Sequence, residues 1–456
     1  MIRKLKLLMC VCFLVVAVLP TVAFGNENAT AHHWVPPLLS VVPFGVILCC
    51  IAFLPLMPLT EHWWERNSNR ALVSAILGLP VVVYVLMHNV HHVQDTGLEY
   101  FQFLSLLATL YIVAGGIHIT GNLLAKPSVN TCIMMVGYCI ASIIGTTGAA
   151  MVLIFPLLKT NRERVHKRHT VVFFIILVCN LGGLLSPIGD PPLFLGYLRG
   201  ISFFWFAEHL WWIWIVAGLV LLPLYFCLDV YWYRKEPAAA LFDDEEHEER
   251  LGILGKPNLI FLFAIVLSVA CAVPTPFREL VMWTMAAASL LYWKTTVGAR
   301  ARSRNKFDFH AIVEVAIVFA GIFATMMPAL MLLGARGGEL GVNTPLGYFW
   351  ATGVFSSILD NAPTFLCFLE LCKSTVGVEH ASELMSSAPQ ILAGLSVGAV
   401  YFGAMTYIGN APNFMVRAIA EQRGVRMPSF VGYTFKWSIP LLLPLFVVIG
   451  LLLAFV

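Results

Sequence analysis

The 456-residue chain is 59% hydrophobic and only 12% charged, with a formal net charge of +3. A soluble domain is about 45–50% apolar and about 25% charged, so a soluble enzyme core is excluded. Apolar runs of about 18 or more residues recur, long enough to cross a bilayer core of roughly 30 Å as helices.

At the N-terminus, Arg3, Lys4 and Lys6 precede an apolar stretch from Leu7 to Leu19. Thr21-Val22-Ala23-Phe24-Gly25 follows, and then polar Asn26-Glu27-Asn28. A basic start, a short apolar core and small residues before a polar one form a signal-peptide pattern, so residues 1–25 are expected to be cleaved after Gly25. An uncleaved first helix is the alternative.

Ten full spans are predicted at 36–58, 71–87, 100–122, 169–197, 210–229, 258–275, 280–297, 309–334, 389–419 and 430–455. Segments 129–158 and 343–373 are apolar but interrupted at the middle by small, polar or proline residues. A straight helix of that length is about 45 Å long and overshoots the bilayer, so each is predicted to be a re-entrant hairpin. Broken backbone at that depth needs protein or a cavity around it.

The basic residues test this topology. With 129–158 entering and leaving by one face, 21 lysines and arginines fall on that side and four, Arg199, Arg278, Arg336 and Lys373, on the other. If 129–158 crossed fully, the basic loops around it would face opposite sides. Five spans and a hairpin make each half, and the odd number of spans inverts the second half. The expected fold is all-α and membrane-integral, in two inverted repeats with broken helices. The repeats cover 36–229 and 258–456, and residues 230–257 form a charged, solvated cytoplasmic linker.

The halves also share motifs. Ser186-Pro187-Ile188-Gly189-Asp190 aligns with Thr406-Tyr407-Ile408-Gly409-Asn410, and Gly183 with Gly403. Thr146-Thr147-Gly148 aligns with Asp360-Asn361-Ala362 at the hairpin tips. Paired interruptions in two inverted halves point to a transporter binding site, where freed carbonyls suit Na⁺ and helix N-termini suit anions. A carboxylate at mid-membrane costs about 2.5–3.5 kcal/mol on insertion scales, so Asp190 and Asp360 are expected to bind an ion or a proton. The structural alternative is that each caps a half-helix. His118, read as lying within the third span, is a candidate proton relay or a satisfied interhelical histidine. Glu314 is a second relay candidate or a snorkelling side chain. His88, His91, His92 and Asp95 form an outer cluster that carries little metal-site signal. No phosphate loop, Ser/His/Asp arrangement or zinc spacing occurs in the sequence, so neither an enzyme, a cofactor nor a nucleic-acid partner is expected.

Ser186-Pro187-Ile188-Gly189-Asp190 and Leu359-Asp360-Asn361-Ala362-Pro363 resemble motifs of D-type bacterial sodium–proton antiporters. These belong to the ion transporter superfamily, which also holds citrate and dicarboxylate carriers. Gly403-Ala404-Met405-Thr406-Tyr407-Ile408-Gly409-Asn410-Ala411 resembles the second broken helix of that superfamily. The resemblance implies a scaffold and a moving transport domain, a homodimer in the bacterial cytoplasmic membrane, and transported Na⁺ or Li⁺ and H⁺. It implies ion sites at Thr146, Thr147, Asp360, Asn361 and Thr364, with broken-helix partners Ser186, Gly189, Asp190, Thr406, Gly409 and Asn410. Asp190 would pair with Thr146 and Thr147, and Asp360 with Thr406 and Asn410. Dicarboxylate carriers of the superfamily have Ser-Asn-Thr at both tips; here the anionic Asp360 stands at one, which favours cation exchange over carboxylate symport.

Overall fold

A computed structural model describes residues 34–57, 59–246 and 249–455; the expected signal peptide lies outside them. The first half runs α1 (Leu38–Leu56), α2 (Asn67–Leu86) and α3 (Val90–Ala114). A strand β1 (His118–Asn122) follows, then α4 (Pro127–Ile144), α5 (Thr146–Thr160), α6 (Arg168–Leu177), α7 (Pro191–Leu198) and α8 (Trp205–Tyr233). The connection contains α9 (Ala238–Glu246) and β2 (Glu249–Leu254). The second half runs α10 (Pro257–Ala270), α11 (Phe277–Tyr292), α12 (Thr296–Arg304), α13 (His310–Arg336), α14 (Pro345–Ile358), α15 (Asn361–Val376), α16 (Pro389–Phe402) and α17 (Ala411–Gln422). It closes with α18 (Phe430–Ala454).

This is a multi-pass membrane fold. Among the described residues eight helices are long and apolar enough to cross a bilayer, or nine if one bent pair counts as a span. Ten full spans were expected, with a break in one span of each half. The expected spans 169–197 and 389–419 are each broken into two helices, and the helices at 257–270 and 277–292 are shorter than read. The third span also changes. It starts earlier, at Val90, and ends at Ala114, before Gly115 and Gly116. His118 therefore lies outside the helix, in a strand antiparallel to β2, opposite Leu254. That pairing adds one two-stranded ribbon to an otherwise helical fold, and β2 stays largely exposed. Lys159 at the end of α5 reaches Glu249 of β2 at 2.6 Å, and Asp244 accepts from the Ala125 amide at 2.8 Å. The connection is thus folded onto the first half.

The core is densest around α6, where every residue from Val171 to Cys179 is at most 1% exposed. A helix apolar on all sides is one surrounded by protein. Around it α8 packs on α4, α14 on α16, α13 on α2 and α15 on α7.

One polar knot sits in this core. Asp229 of α8, fully buried, takes Arg164 and His169 at 2.7 Å each and Asn130 at 3.0 Å. Asn161 ties to Asn130 at 2.8 Å. Glu236 accepts the Val165 and His166 amides at 2.9 and 2.8 Å. The knot joins both outer ends of the α4–α5 pair to α6 and α8.

Candidate functional site

Four chain breaks converge. Between α4 and α5, Gly145 adopts φ +82°, a conformation that L side chains resist. Between α14 and α15, Leu359 and Asp360 are extended. The helix that begins with α6 breaks after a short 3₁₀ turn at Leu181–Leu185 and resumes as α7 at Pro191. The helix that begins with α16 breaks after Gly403–Met405 and resumes as α17 at Ala411. Prolines at the first turns of α7 and α17 lack amides that those turns leave unpaired anyway.

The two broken helices are held alike. Ser186 Oγ donates to the Ser142 carbonyl and accepts the Gly189 amide at 3.1 Å. Thr406 Oγ1 donates to the Ser357 carbonyl at 2.7 Å and accepts the Gly409 amide at 3.2 Å. Ser142 and Ser356 each donate to a carbonyl of the neighbouring helix, those of Gly182 and Ala399, at 2.5 and 2.6 Å. Gly189 has no room for a side chain, since a Cβ there would lie 2.1 Å from the Gly183 carbonyl oxygen.

Asp190 is the centre. It is 1% exposed and has three donors. Oδ1 accepts from Thr146 Oγ1 at 3.0 Å and Asn410 Nδ2 at 2.8 Å. Oδ2 accepts from Asn361 Nδ2 at 2.6 Å. One donor comes from its own half and two from the other. Asn410 Nδ2 also reaches the Cys179 carbonyl at 3.0 Å.

Asp190 lines a cavity of about 930 Å³, together with Thr146, Thr147, Gly189, Asp360 and Asn410. Arg70, Lys306 and Arg423 line it too. Outside the cavity lining, Arg199 binds Glu99 and Glu370 at 2.5 Å each, and Lys373 binds Glu370 at 2.9 Å. This cluster joins α3, the turn after α7, and α15.

The family model described as "Putative citrate transport" matches residues 33–455. The chain belongs to this family. No curated protein matches it. The match establishes a membrane transporter family and describes citrate transport rather than sodium–proton antiport.

In this citrate-transport family member the expected pairing of the aspartates changes. Asn410 serves Asp190 and not Asp360, because the two halves interlock rather than forming separate half-sites. The Asp360 side chain accepts the Ala362 amide at 3.0 Å and so caps α15 while lining the cavity. Thr364 Oγ1 bonds back to the Asp360 carbonyl at 2.9 Å, which directs it along its own helix. Ser186 and Thr406 stitch the breaks. Thr147 stands beside Thr146 on the cavity wall, and Gly409 lies against Gly403.

His118 bonds Asn305 at 2.7 Å, in the sheet. Burial lowers its pKa below the ordinary imidazole range, against the Asn305 hydrogen bond, so it is neutral at physiological pH and its placement within a span is corrected. Glu314 binds Arg70 at 2.8 Å in the cavity lining. In the outer cluster His88 stacks on Trp34, with ring centroids 4.2 Å apart. Among the described residues no group of three or more His, Cys, Asp or Glu side chains is arranged to hold a metal.

Two buried residues were not singled out from sequence. Asn180 Nδ2 donates to the Ile175 carbonyl and to Asn413 Oδ1 at 2.7 Å each. Asn413 Nδ2 donates to the carbonyls of Gly403 and Thr406 at 2.8 and 3.0 Å. The available signal was a carboxamide in the apolar run Val178-Cys179-Asn180-Leu181.

Proposed function

We propose that this transporter exchanges Na⁺ or Li⁺ for H⁺ by alternating access, with Asp190 as the group for which cation and proton compete. The observation that carries this reading is the convergence of donors from both halves on one buried carboxylate that lines a cavity. Ionised, Asp190 is stabilised by Thr146, Asn361 and Asn410 and attracts a cation. Protonated, it has no charge to offer, so the two cargoes exclude each other. Asp360, on the same cavity wall, adds a second carboxylate. The sequence resemblance to D-type antiporters supports the reading. So do the parallel hydrogen bonds at the two broken helices, which fit an inverted repeat with two re-entrant hairpins, α4–α5 and α14–α15.

Sodium-coupled citrate or dicarboxylate symport is the second reading, favoured by the family description and by the cations Arg70, Lys306 and Arg423 in the cavity lining. Two of those three cations are engaged: Arg70 with Glu314, and Arg423 over the Phe155 ring at 5.4 Å. The two aspartates further in repel a polycarboxylate.

In everted vesicles carrying this protein, Na⁺ or Li⁺ is expected to dissipate a preformed ΔpH, and citrate is not. Citrate uptake that needs Na⁺, with no proton movement on Na⁺ alone, would replace antiport with symport.

Alternating access also assigns a role to the Glu99–Arg199–Glu370 cluster, as the contact that closes the face opposite the cavity. Breaking it should favour the state open on that side. A cysteine placed at Thr147 should react with impermeant thiol reagents mainly from the basic face. Adding Glu99→Gln should raise labelling from the opposite face about tenfold, the equivalent of roughly 1.4 kcal/mol. An unchanged labelling ratio would make the cluster a static brace.

A further inference from the structure

Between Trp293 and Phe307 the chain carries five cations, Lys294, Arg300, Arg302, Arg304 and Lys306, and no carboxylate. This stretch holds α12, the short helix that joins α11 to α13. Since α13 is long and apolar enough to cross the bilayer, α12 lies at one membrane surface. Thr295 Oγ1 starts the helix by accepting the Gly298 amide at 3.1 Å. The Arg302 carbonyl ends it by accepting the Phe307 amide at 3.0 Å. Gly298 lets the helix fold back on the end of α11, since a Cβ there would lie 2.2 Å from the Tyr292 carbonyl oxygen. The basic stretch is thus a fixed platform rather than a loose loop.

Its two faces differ. Gly298, Ala301 and Arg302 are buried. Val297, Arg300 and Arg304 are exposed, and their spacing puts them on one side of the helix. Arg302, 1% exposed, lies over the rings of Trp293 and Phe307, 4.9 and 4.5 Å from their centroids. Its Nη2 donates to the neutral Ser289 hydroxyl at 2.7 Å, and its Nη1 is buried without a partner. Among the described residues no carboxylate pairs with Arg302, nor with the exposed Lys294, Arg300 and Arg304. Exposed cations elsewhere are paired, Lys159 with Glu249 and Arg336 with Glu339. Four positive charges gathered without a counter-ion repel one another, most strongly where one is out of water. An anion from outside relieves that repulsion.

We propose that α12 is a docking surface for the headgroup phosphate of an acidic phospholipid, held by Lys294, Arg300 and Arg304, with the buried charge of Arg302 adding to the attraction. Lys306 lines the cavity instead. A lipid fits better than a dissolved anion because apolar groups flank the cations. Val297, on the side of the two arginines, and Leu291, at the end of α11, are 43% and 63% exposed and would lie against acyl chains. Basic clusters beside a membrane span draw acidic lipids in this way. The surface works whichever solute the transporter carries.

The test is binding of fluorescent phosphatidylglycerol to the purified full-length protein in neutral detergent, with fluorescent phosphatidylcholine for comparison and size exclusion to follow folding. Wild type is expected to hold phosphatidylglycerol at least ~10-fold more tightly than phosphatidylcholine. Lys294→Gln, Arg300→Gln and Arg304→Gln should each weaken phosphatidylglycerol binding about fivefold, the equivalent of the roughly 1 kcal/mol that one basic residue contributes near an acidic surface, and leave phosphatidylcholine binding unchanged. Arg336→Gln, at an exposed pair elsewhere, should change neither. Wild type without a preference for phosphatidylglycerol would overturn the proposal, whether or not any variant folds. Wild-type affinity in the folded triple variant would leave these cations to orient the chain in the membrane and nothing more. An equal loss in Arg336→Gln would mean that overall charge draws the lipid, not α12. Displacement of phosphatidylglycerol by an equal concentration of inorganic phosphate would give the surface to a dissolved anion instead.

Discussion

Asp190→Asn is expected to reduce Na⁺-dependent proton movement at least ~100-fold, since a hydrogen bond to a charged group contributes about 1.5–3 kcal/mol and one is lost while the other two lose their charged partner. Asp190 meets Thr146 and Asn410 on one oxygen and Asn361 on the other. Asparagine offers one acceptor and one amide. Whichever way it turns, its NH₂ faces a donor. Asp190→Asn therefore removes the charge and also creates a donor–donor contact at the junction of the halves. Asp360→Asn is a milder change. Asparagine caps a helix about as well as aspartate, so the Ala362 contact survives; a drop of roughly tenfold is expected, the difference of about 1.4 kcal/mol between a charged and a neutral partner. Both variants are measured by ΔpH dissipation in everted vesicles, with membrane insertion checked separately. Wild-type rates in Asp190→Asn would place the exchanging group elsewhere. Equal, complete loss in both variants would restore an ion-binding role to Asp360 beyond its cap.

Asp229→Ala should leave little folded protein in detergent. Arg164, 2% exposed, would keep Glu236 at 3.5 Å as its one carboxylate, with the Ala125 carbonyl at 3.4 Å. His169 and Asn130 would lose an acceptor in the same place. Breaking a buried charge pair by removing one partner costs about 3–5 kcal/mol, a large share of any single domain's stability. Asp229→Glu keeps the charge and should recover part of the loss. Melting temperature and monodispersity report the outcome. Wild-type melting in Asp229→Ala would mean that water enters the knot and solvates Arg164.

The hydrophobic spans and their interruptions were legible because lipid imposes them locally: length, proline and glycine act within a few residues. Asp190 and Asp360 stood out through the cost of a carboxylate in an apolar run. Their partners were not legible. Asn410 was assigned to Asp360 because both lie in the second half, whereas its hydrogen bond to Asp190 follows from how the halves interlock. Asn180 and Asn413 were passed over for the same reason, since a lone carboxamide in a span has no sequence mark separating a packed residue from a ligand. His118 was misplaced through hydropathy. Ile117 and Ile119 continue the apolar run, yet Gly115-Gly116 ends the helix and the strand forms only because β2 comes back to pair with it.

The interlocked donors of Asp190 also set an order of assembly. Asn361 follows it by 171 residues and Asn410 by 220. At roughly 5–20 residues per second of synthesis, Asp190 waits on the order of 10–40 s with Thr146 as its one side-chain donor. A carboxylate so poorly solvated does not settle in hydrocarbon. The first broken helix is therefore completed late, after α17 has emerged, and a ribosome stalled before residue 361 leaves a first half whose centre is unfinished.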